Sequence, residues 1–228
     1  MTLTRYGLRE WGSAFIVMLA VAAGSYYLAF EKGYLRTGMI IASAAFILFL
    51  AFAAFFRNPR RRIPANPSLI ISPADGTIKD IVEVEDFDLP PFKGPAIRIG
   101  IFLSVLSVHV NRAPMEFTVE NVSYREGEFL DARDEAAIQR NEAMTISGTA
   151  VTGGEPFPVA VRQISGAIAR KIVCPVKPGR KLKKGELYGM IKFGSRTELY
   201  LPVGRAEINV KVGDKVSGGS SVLATLTE

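Results

Sequence analysis

The sequence predicts a mainly β (α+β) domain preceded by an N-terminal transmembrane helical hairpin. Two uncharged apolar runs lie near the N-terminus, Trp11 to Phe30 and Thr37 to Phe56. An α-helix rises about 1.5 Å per residue, so about 20 residues cross a hydrocarbon core roughly 30 Å thick. After a proline-rich segment at 63–67 the chain changes to short alternating runs separated by turn residues, which is typical of β-strands. We therefore expect a membrane anchor, residues 1–62, and a β-rich domain, residues 63–228.

Basic residues around the two apolar runs predict how the anchor lies in a membrane. The connector from Glu31 to Arg36 is short and polar, and it contains Gly33, as expected between two helices of a hairpin. Four arginines follow the second run and two precede the first: Arg57, Arg60, Arg61, Arg62, Arg5 and Arg9. The positive-inside rule then places both ends in the cytoplasm. We expect a protein of the cell (inner) membrane whose β-rich domain faces the cytoplasm. The alternative is a cleaved signal peptide followed by a core helix; the long first run and the full-length second run argue against it.

Composition and charge narrow the range of partners. The chain has 28 Lys and Arg against 22 Asp and Glu, for a formal net charge of +6. A basic chain can bind nucleic acid or an anionic membrane, and with two apparent spans the membrane is the simpler partner, so no nucleic acid is expected. With a single histidine and a single cysteine, Cys174, we expect neither a zinc site nor an internal disulfide. A second basic cluster is open to two interpretations, a solvated loop or a lipid-headgroup contact: Lys177, Arg180, Lys181, Lys183 and Lys184.

Within the β-rich domain, alternation and turn residues predict the elements in order. Strands are expected within 77–84, 96–103, 117–122 and 159–164, with a loop at 90–95. Asp75-Gly76 is typical of a hairpin turn. A helix is expected from Asp131 to Arg140 with Asp131 as N-cap, and a shorter one from Gly166 to Ile172.

A local near-repeat lies close to the C-terminus. Residues 178–186 and 212–219 share the order glycine, two residues, an apolar residue, two residues, glycine. The same spacing occurs in the β-hairpins of lipoyl- and biotinyl-carrier folds. Neither copy offers a lysine in the turn expected for cofactor attachment, so the likeness is one of architecture, and carrier-like β-hairpins are expected in the fold.

The pair Gly194-Ser195 lies between two alternating runs. A Gly-Ser at such a place is commonly a plain turn. It also permits a reaction, because a serine hydroxyl can attack the preceding carbonyl and convert the amide to an ester, and glycine tolerates the strained backbone that this needs. Elimination and hydrolysis then leave a pyruvoyl group in place of the serine. Such a ketone condenses with a substrate amine and withdraws electrons, so that carbon dioxide can leave.

Two further residues could serve this chemistry. His109 is the only histidine, and an imidazole can act as base and as acid near neutral pH. Asp75 could orient His109 and favour its cationic form, as in serine triads. The alternative interpretations are that His109 is a surface or core histidine without a catalytic role and that Asp75 is an ordinary residue of an Asp-Gly turn.

Several motifs in this order resemble the phosphatidylserine decarboxylase family in its short form. They are Phe56 to Arg60, Ile71 to Gly76, Val108 to Pro114, Gly127 to Glu142, Gln163 to Val173 and Phe193-Gly194-Ser195-Arg196. The family makes its own pyruvoyl cofactor by breaking the chain at such a Gly-Ser bond. The resemblance implies that Ser195 is the pyruvoyl precursor, that His109 and Asp75 are its partners, and that residues 63–228 form the decarboxylase domain. It also implies a large chain, 1–194, that stays associated with a small chain, 195–228.

The expected function is therefore pyruvoyl-dependent decarboxylation of phosphatidylserine to phosphatidylethanolamine by a membrane enzyme. A homo-oligomer is compatible with this function. Two alternatives stay open: a decarboxylase acting on the serine headgroup of an archaeal ether lipid, and a non-enzymatic, membrane-tethered β-domain adaptor. The chain departs from the family pattern at Arg112, where long-form bacterial members carry a second histidine. It departs again at Ala143, where an arginine is common, which leaves the roles of Asn141 and Glu142 open.

Overall fold

The computed structural model describes residues 1–152, 155–167, 171–192 and 195–227, and it divides into two compact units, Met1–Arg60 and Arg61–Glu228. In the first unit, β1 (Thr2–Leu3) pairs with β2 (Arg57–Asn58), and between them lie a 3₁₀ turn (Arg5–Gly7), α1 (Leu8–Phe30) and α2 (Leu35–Phe55). Both helices are long and apolar enough to cross a membrane, and only 11% and 17% of their apolar windows are buried. Such exposure is consistent with membrane association.

Small residues bring the two apolar helices together as a hairpin. A Cβ added at Gly38 would lie 2.5 Å from the Ser25 carbonyl oxygen and 2.8 Å from the Ala29 Cβ. Glycine at this position therefore lets the backbone of α2 approach α1 closely, which is a common way for helices to pack in membranes.

The second unit is mostly β-structure, as the sequence predicts. Its strands are β3 (Leu69–Ile71), β4 (Gly76–Leu89), β5 (Phe92–Leu103), β6 (Val110–Arg112), β7 (Phe117–Arg125), β8 (Ala143–Thr152), β9 (Glu155–Ile164), β10 (Lys171–Val173), β11 (Lys181–Leu182), β12 (Leu187–Lys192), β13 (Ser195–Pro202), β14 (Ala206–Ile208), β15 (Lys215–Val216) and β16 (Val222–Leu226), with α3 (Glu135–Arg140) between β7 and β8. An eight-stranded antiparallel sheet has the order β11-β7-β8-β9-β13-β5-β4-β15. Two three-stranded sheets have the orders β10-β12-β6 and β14-β16-β3.

Strand β13 lies inside the large sheet, between β9 and β5, and every one of its residues is buried. Successive side chains of a strand point to opposite faces. Leu199 and Leu201 belong to the main apolar core. Arg196, Glu198 and Tyr200 alternate with them and form hydrogen bonds on the other face. The strand that begins at Ser195 is therefore fixed on both faces and along both edges.

The near-repeat noted in the sequence forms the two edges of the eight-stranded sheet. In one copy, Gly179 (φ 86°) and Gly185 (φ 76°) enclose β11, and in the other Gly213 (φ 95°) and Gly219 (φ 83°) enclose β15. Positive φ is readily adopted only by glycine, so the shared spacing encodes two left-handed turns around a two-residue strand. β11 and β15 are the outermost strands of the sheet.

Four local predictions were wrong. The loop expected at 90–95 is confined to Pro90 and Pro91, because residues 92–95 belong to β5. The helix α3 begins at Glu135 with Asp134 as its N-cap residue; Asp131 instead accepts a hydrogen bond from the Arg133 amide at 2.9 Å and closes a turn before the helix. Lys171 and Ile172 lie in β10, which rules out a helix to 172, and residues 168–170 of that prediction lie outside the described residues. Asp75-Gly76 is not a hairpin turn, because β3 and β4 belong to different sheets.

Candidate active site

Ser195 opens β13 and lies opposite Leu103 of β5. Its side chain is fully buried, and its Oγ has no hydrogen-bond partner among the described residues. Buried hydroxyls are normally hydrogen-bonded, so an orphaned one marks a site of strain or chemistry. Gly194, the other residue of the predicted scissile bond, lies outside the described residues, as does Phe193.

His109 is fully buried and immediately precedes β6. Its carbonyl oxygen accepts a hydrogen bond from the Ile191 amide of β12 at 3.1 Å, so the histidine lies beside the strand that leads towards Ser195. Its Nδ1 lies 2.9 Å from the Ser107 carbonyl oxygen. A carbonyl only accepts, so Nδ1 carries the hydrogen, and in the neutral ring Nε2 is the basic nitrogen.

A buried hydrogen-bond network fastens the His109 segment to the Ser195 segment. Asn111, two residues after His109, donates from Nδ2 to Oγ1 of Thr197, two residues after Ser195, at 2.9 Å. Gln163 of β9 donates to Asn111 Oδ1 at 2.8 Å. Since side chains two residues apart share a face of a strand, this network lies on the same face of β13 as Ser195.

Asp75 lies at the start of β4, and β5 separates β4 from β13. Its carboxylate forms an ion pair with Arg61 at 2.6 Å and accepts a hydrogen bond from the Gly218 amide at 2.8 Å. Arg112 also interacts with it electrostatically: burial and the Arg61 charge lower the Arg112 pKa, and Asp75 opposes that shift. The structure thus surrounds Asp75 with arginines, and its orientation of His109 stays a prediction.

Two further polar side chains at the end of β9, Gln163 and Ser165, have no role predicted from the sequence. Gln163 lies opposite Thr197 and Ile164 opposite Arg196, and Ser165 directly follows β9 at the end of the sheet where β13 begins. Gln163 Oε1 and Ser165 Oγ are both buried without a hydrogen-bond partner among the described residues. The signal in the sequence was the alternation of Phe157, Val159 and Val161, which predicts apolar side chains at 163 and 165, where the chain carries Gln163 and Ser165.

The Asn141–Glu142 pair supports the surrounding loops. The buried Asn141 amide donates to the carbonyl oxygens of Leu130 (2.9 Å) and Ser165 (2.8 Å), and its Oδ1 accepts from the Leu130 amide. Glu142 accepts a hydrogen bond from the Tyr124 hydroxyl at 3.2 Å. Asn141 therefore ties the segment before α3 to Ser165.

A cavity of about 170 Å³ opens at the end of the sheet where β13 begins. Its walls are formed by the end of β5, the segment before α3 and the residues after β9: Phe102, Val105, Asp131, Ala132, Arg133, Gly166 and Ala167. A hydrogen bond from Arg133 lowers the pKa of Asp131 to about 2, so both charges persist at neutral pH. The cavity thus offers one anionic and one cationic group, with an apolar wall at Val105.

The second basic cluster is largely engaged within the domain. Arg180 forms an ion pair with Glu186, and Lys181 forms one with Glu116, each at 2.7 Å. Lys184 donates to two backbone carbonyls. These contacts favour the interpretation of a solvated loop for three of the five residues.

Comparison with known proteins agrees with this architecture. The family model described as phosphatidylserine decarboxylase matches residues 48–224. A phosphatidylserine decarboxylase proenzyme of Carboxydothermus hydrogenoformans is 52% identical over 182 residues, which cover 79% of this chain and 82% of the relative. The proenzymes of Rhodopirellula baltica (46% over 181 residues; 78% of this chain, 73% of the relative) and of Neisseria meningitidis serogroup C (41% over 186 residues; 81% and 67%) are also similar. The chain therefore belongs to the phosphatidylserine decarboxylase family, as its motifs predict, and its activity is the decarboxylation of phosphatidylserine.

Proposed function

We propose that the chain is a proenzyme that cuts itself between Gly194 and Ser195 and converts Ser195 to a pyruvoyl group. The observation that carries the proposal is the buried Oγ of Ser195 at the start of a central strand, which has no hydrogen-bond partner among the residues that the structure describes. The relatives' name, proenzyme, supports a processing step in this family. The products would be a large chain, 1–194, and a small chain, 195–228.

His109 is the proposed base for the first step. Nδ1 donates to the Ser107 carbonyl, so Nε2 can take the proton from the Ser195 hydroxyl. The Ser195 oxygen then bonds to the Gly194 carbonyl carbon, the peptide C–N bond breaks, and the Ser195 nitrogen receives the proton. The result is an ester between the two chains with no net change in protons.

The second step breaks that ester. Removal of the Ser195 Cα proton breaks the Cβ–Oγ bond. The Gly194 carboxylate leaves with the former Oγ, and residue 195 becomes a dehydroalanine with a free amine. Addition of one water then releases ammonia and leaves the pyruvoyl group. The balance is one water consumed, one carboxylic acid formed at Gly194 and one ammonia released, so no oxidant or metal is required.

The residues at the start of β13 fit a pyruvoyl group. Its keto carbon would occupy the Ser195 position, at the end of the sheet that also holds the buried Ser165 hydroxyl and the Gln163 amide oxygen, both orphaned among the described residues. When present, the group supplies an electron sink for the electron pair left by the departing carboxylate. Burial excludes bulk water from this position, and His109 Nε2 would hold the proton that replaces the carboxylate on the substrate carbon.

Asp75 is proposed to assist His109 through charge. In the structure its carboxylate is bound to Arg61, so a direct contact with the imidazole requires that ion pair to open. Arg112 occupies the position of the second histidine of long-form members and interacts electrostatically with Asp75. Arg61 and Arg112 thus provide a fixed positive setting around the Asp75 carboxylate.

The sheet arrangement supports lasting association of the two chains. The small chain would contain β13 to β16. β13 is hydrogen-bonded between β5 and β9, β15 pairs with β4, and β16 pairs with β3. Every one of these partner strands belongs to the large chain, so the small chain is interleaved with it.

The proposed setting is the cell (inner) membrane, with the second unit in the cytoplasm. The support is the pair of apolar helices and the arginines that follow them. The substrate is a membrane lipid, so an anchor raises the effective concentration of enzyme near it.

Membership of an enzyme family decides against the non-enzymatic adaptor. An ether lipid with the same serine headgroup is a second substrate to assay, because the headgroup carries the reacting bond.

Intact mass spectrometry of the purified protein tests the proposal. We expect two chains that end and begin at the 194/195 bond, with the small chain lighter by one ammonia than an ordinary serine peptide. Its N-terminus should resist Edman degradation and react with a carbonyl reagent. A single chain of full length, or a small chain with a free N-terminal serine, would show the proposal to be wrong.

A further inference from the structure

Arg196, the residue directly after Ser195, is held by a buried ion-pair network on the other face of β13. Its side chain is 4% exposed. Its Nη2 lies 2.8 Å from Asp80 Oδ1 and 2.7 Å from Asp80 Oδ2, and its Nε donates to Glu198 Oε1 at 2.9 Å. Two carboxylates, one on β4 and one on β13 itself, thus hold the Arg196 guanidinium, and both also pair with Arg98 of β5, at 3.3 Å and 3.7 Å.

Buried polar side chains and a glycine surround the Arg196 guanidinium. Glu198 is fully buried and accepts a hydrogen bond from the Tyr200 hydroxyl at 2.6 Å. Burial and the neighbouring Glu198 charge raise the pKa of Tyr200, so its hydroxyl stays a donor. A Cβ at Gly100 would lie 2.0 Å from Arg196 Nη2 and 2.7 Å from Asp80 Oδ1, so a glycine here leaves room for the ion pair.

The position of this network matters because of where the proposed cut falls. Asp80 would belong to the large chain, and Arg196 would be the second residue of the small chain. Before the cut, residue 196 is restrained by the chain on both sides; after it, residue 195 is a chain end, and chain ends fray unless they are held down. Because side chains alternate along a strand, fixing Arg196 on one face also fixes the direction of residue 195 on the opposite face.

We propose that Arg196 is a positioning residue whose ion pair with Asp80 holds the pyruvoyl-bearing end of the small chain in register after cleavage. The inference rests on the proposed self-cleavage. The ion pair should therefore restrain the start of β13 more strongly in the processed enzyme than in the uncut precursor.

The test compares hydrogen exchange at the amides of residues 196–201, which both the cleaved and the uncleaved protein carry. Arg196→Gln, Arg196→Lys and Asp80→Asn are each made in the full chain and again together with Ser195→Ala, which keeps the chain whole. In the cleaved proteins, Arg196→Gln and Asp80→Asn should speed exchange at 196–201 by about tenfold or more, because the local opening free energy falls. In the Ser195→Ala proteins the same changes should alter exchange by less than about threefold. Arg196→Lys should fall between, since it keeps the charge and loses the second donor.

Kinetics give an independent readout. Loss of positioning at the reacting group should lower kcat on phosphatidylserine while leaving KM nearly unchanged. Arg180→Gln is the matched control, because it also removes an arginine–carboxylate pair, the 2.7 Å pair with Glu186, but on the large chain. It should leave both exchange at 196–201 and kcat unchanged.

Each other result overturns the idea. Equal acceleration of exchange in cut and uncut proteins would make the network a general structural element. No acceleration in either would remove Arg196 from the site. If wild type is cut but all three variants stay whole, Arg196 acts before cleavage instead. A wild-type chain that is never cut would overturn the self-cleavage proposal as well, which the first three outcomes leave standing.

Discussion

Replacing Ser195 by alanine separates the chemical role of its hydroxyl from any role in folding. The hydroxyl is fully buried, and its Oγ has no partner among the described residues. Ser195→Ala removes the hydroxyl that is proposed to attack the predicted bond, so the chain should stay whole and have no decarboxylase activity. At the same time it removes a buried polar group that makes no hydrogen bond within the described part of the chain, so the precursor should become more stable.

The size of that gain follows from the burial. An unsatisfied buried hydroxyl costs about 1–3 kcal/mol relative to its hydrated state. For a domain of this size, each 1 kcal/mol shifts Tm by roughly 2–4 °C. We therefore expect Tm to rise by at least about 2 °C when the hydroxyl is removed.

The comparison needs an uncut reference that keeps the hydroxyl. His109→Ala, purified before its slowed self-cleavage proceeds, provides it, and the double variant His109→Ala/Ser195→Ala isolates the effect of Oγ. Ser165→Ala is the matched control: its hydroxyl is equally buried and orphaned among the described residues, yet it is not at the predicted bond. Ser165→Ala should be cut normally, as judged by intact mass, whereas Ser195→Ala should not.

Two results would refute the reasoning. Cleavage of Ser195→Ala at the 194/195 bond would show that another group attacks. A fall in Tm on removing the Ser195 hydroxyl would show that Oγ is satisfied in the folded protein, and the argument from its orphaned state would be lost.

Four further outcomes are expected. His109→Ala should slow self-cleavage by about 10²–10⁴-fold without unfolding the protein, measured as the fraction cut over time; normal processing would exclude His109 as the base. Asp75→Asn should slow cleavage while the chain stays folded, and an unchanged rate across neutral pH would leave Asp75 as the structural partner of Arg61 alone. Deleting residues 1–56 should leave self-cleavage and activity on detergent-dispersed lipid intact and reduce turnover in vesicles; equal turnover in vesicles would give the anchor another role. Cys174 should react with iodoacetamide more slowly than an exposed cysteine at pH 8, because burial raises its thiol pKa and depletes the thiolate; a rate equal to that of the unfolded chain would contradict this.

Local pattern in the sequence was enough for several elements. The two uncharged runs predicted α1 and α2, because helix length and bilayer thickness are both independent of tertiary context. Alternation predicted β4, β5, β7 and β9, although their ends extend beyond the predicted bounds. The Gly-x-x-apolar spacing marked both edge strands, because positive φ is a local requirement that glycine meets.

Where local signals compete, the sequence was insufficient. Asp131 has the residue type of an N-cap, but its carboxylate binds Arg133 and closes a turn, so α3 begins later. Asp75-Gly76 has the composition of a hairpin turn, but its neighbouring strands pair with different sheets. In each case a contact with another group outweighed the local propensity.

The sequence by itself determined the family, the candidate residues and the order of the elements, because motifs and periodicity are properties of neighbouring positions. Only the tertiary structure decided which groups meet. Asp75 pairs with Arg61, 14 positions away, and Arg196 pairs with Asp80, 116 positions away. The same holds for the bond that joins the His109 and Ser195 segments, from Asn111 to Thr197. These contacts depend on strand order and register across the sheet, which no single stretch of the chain contains.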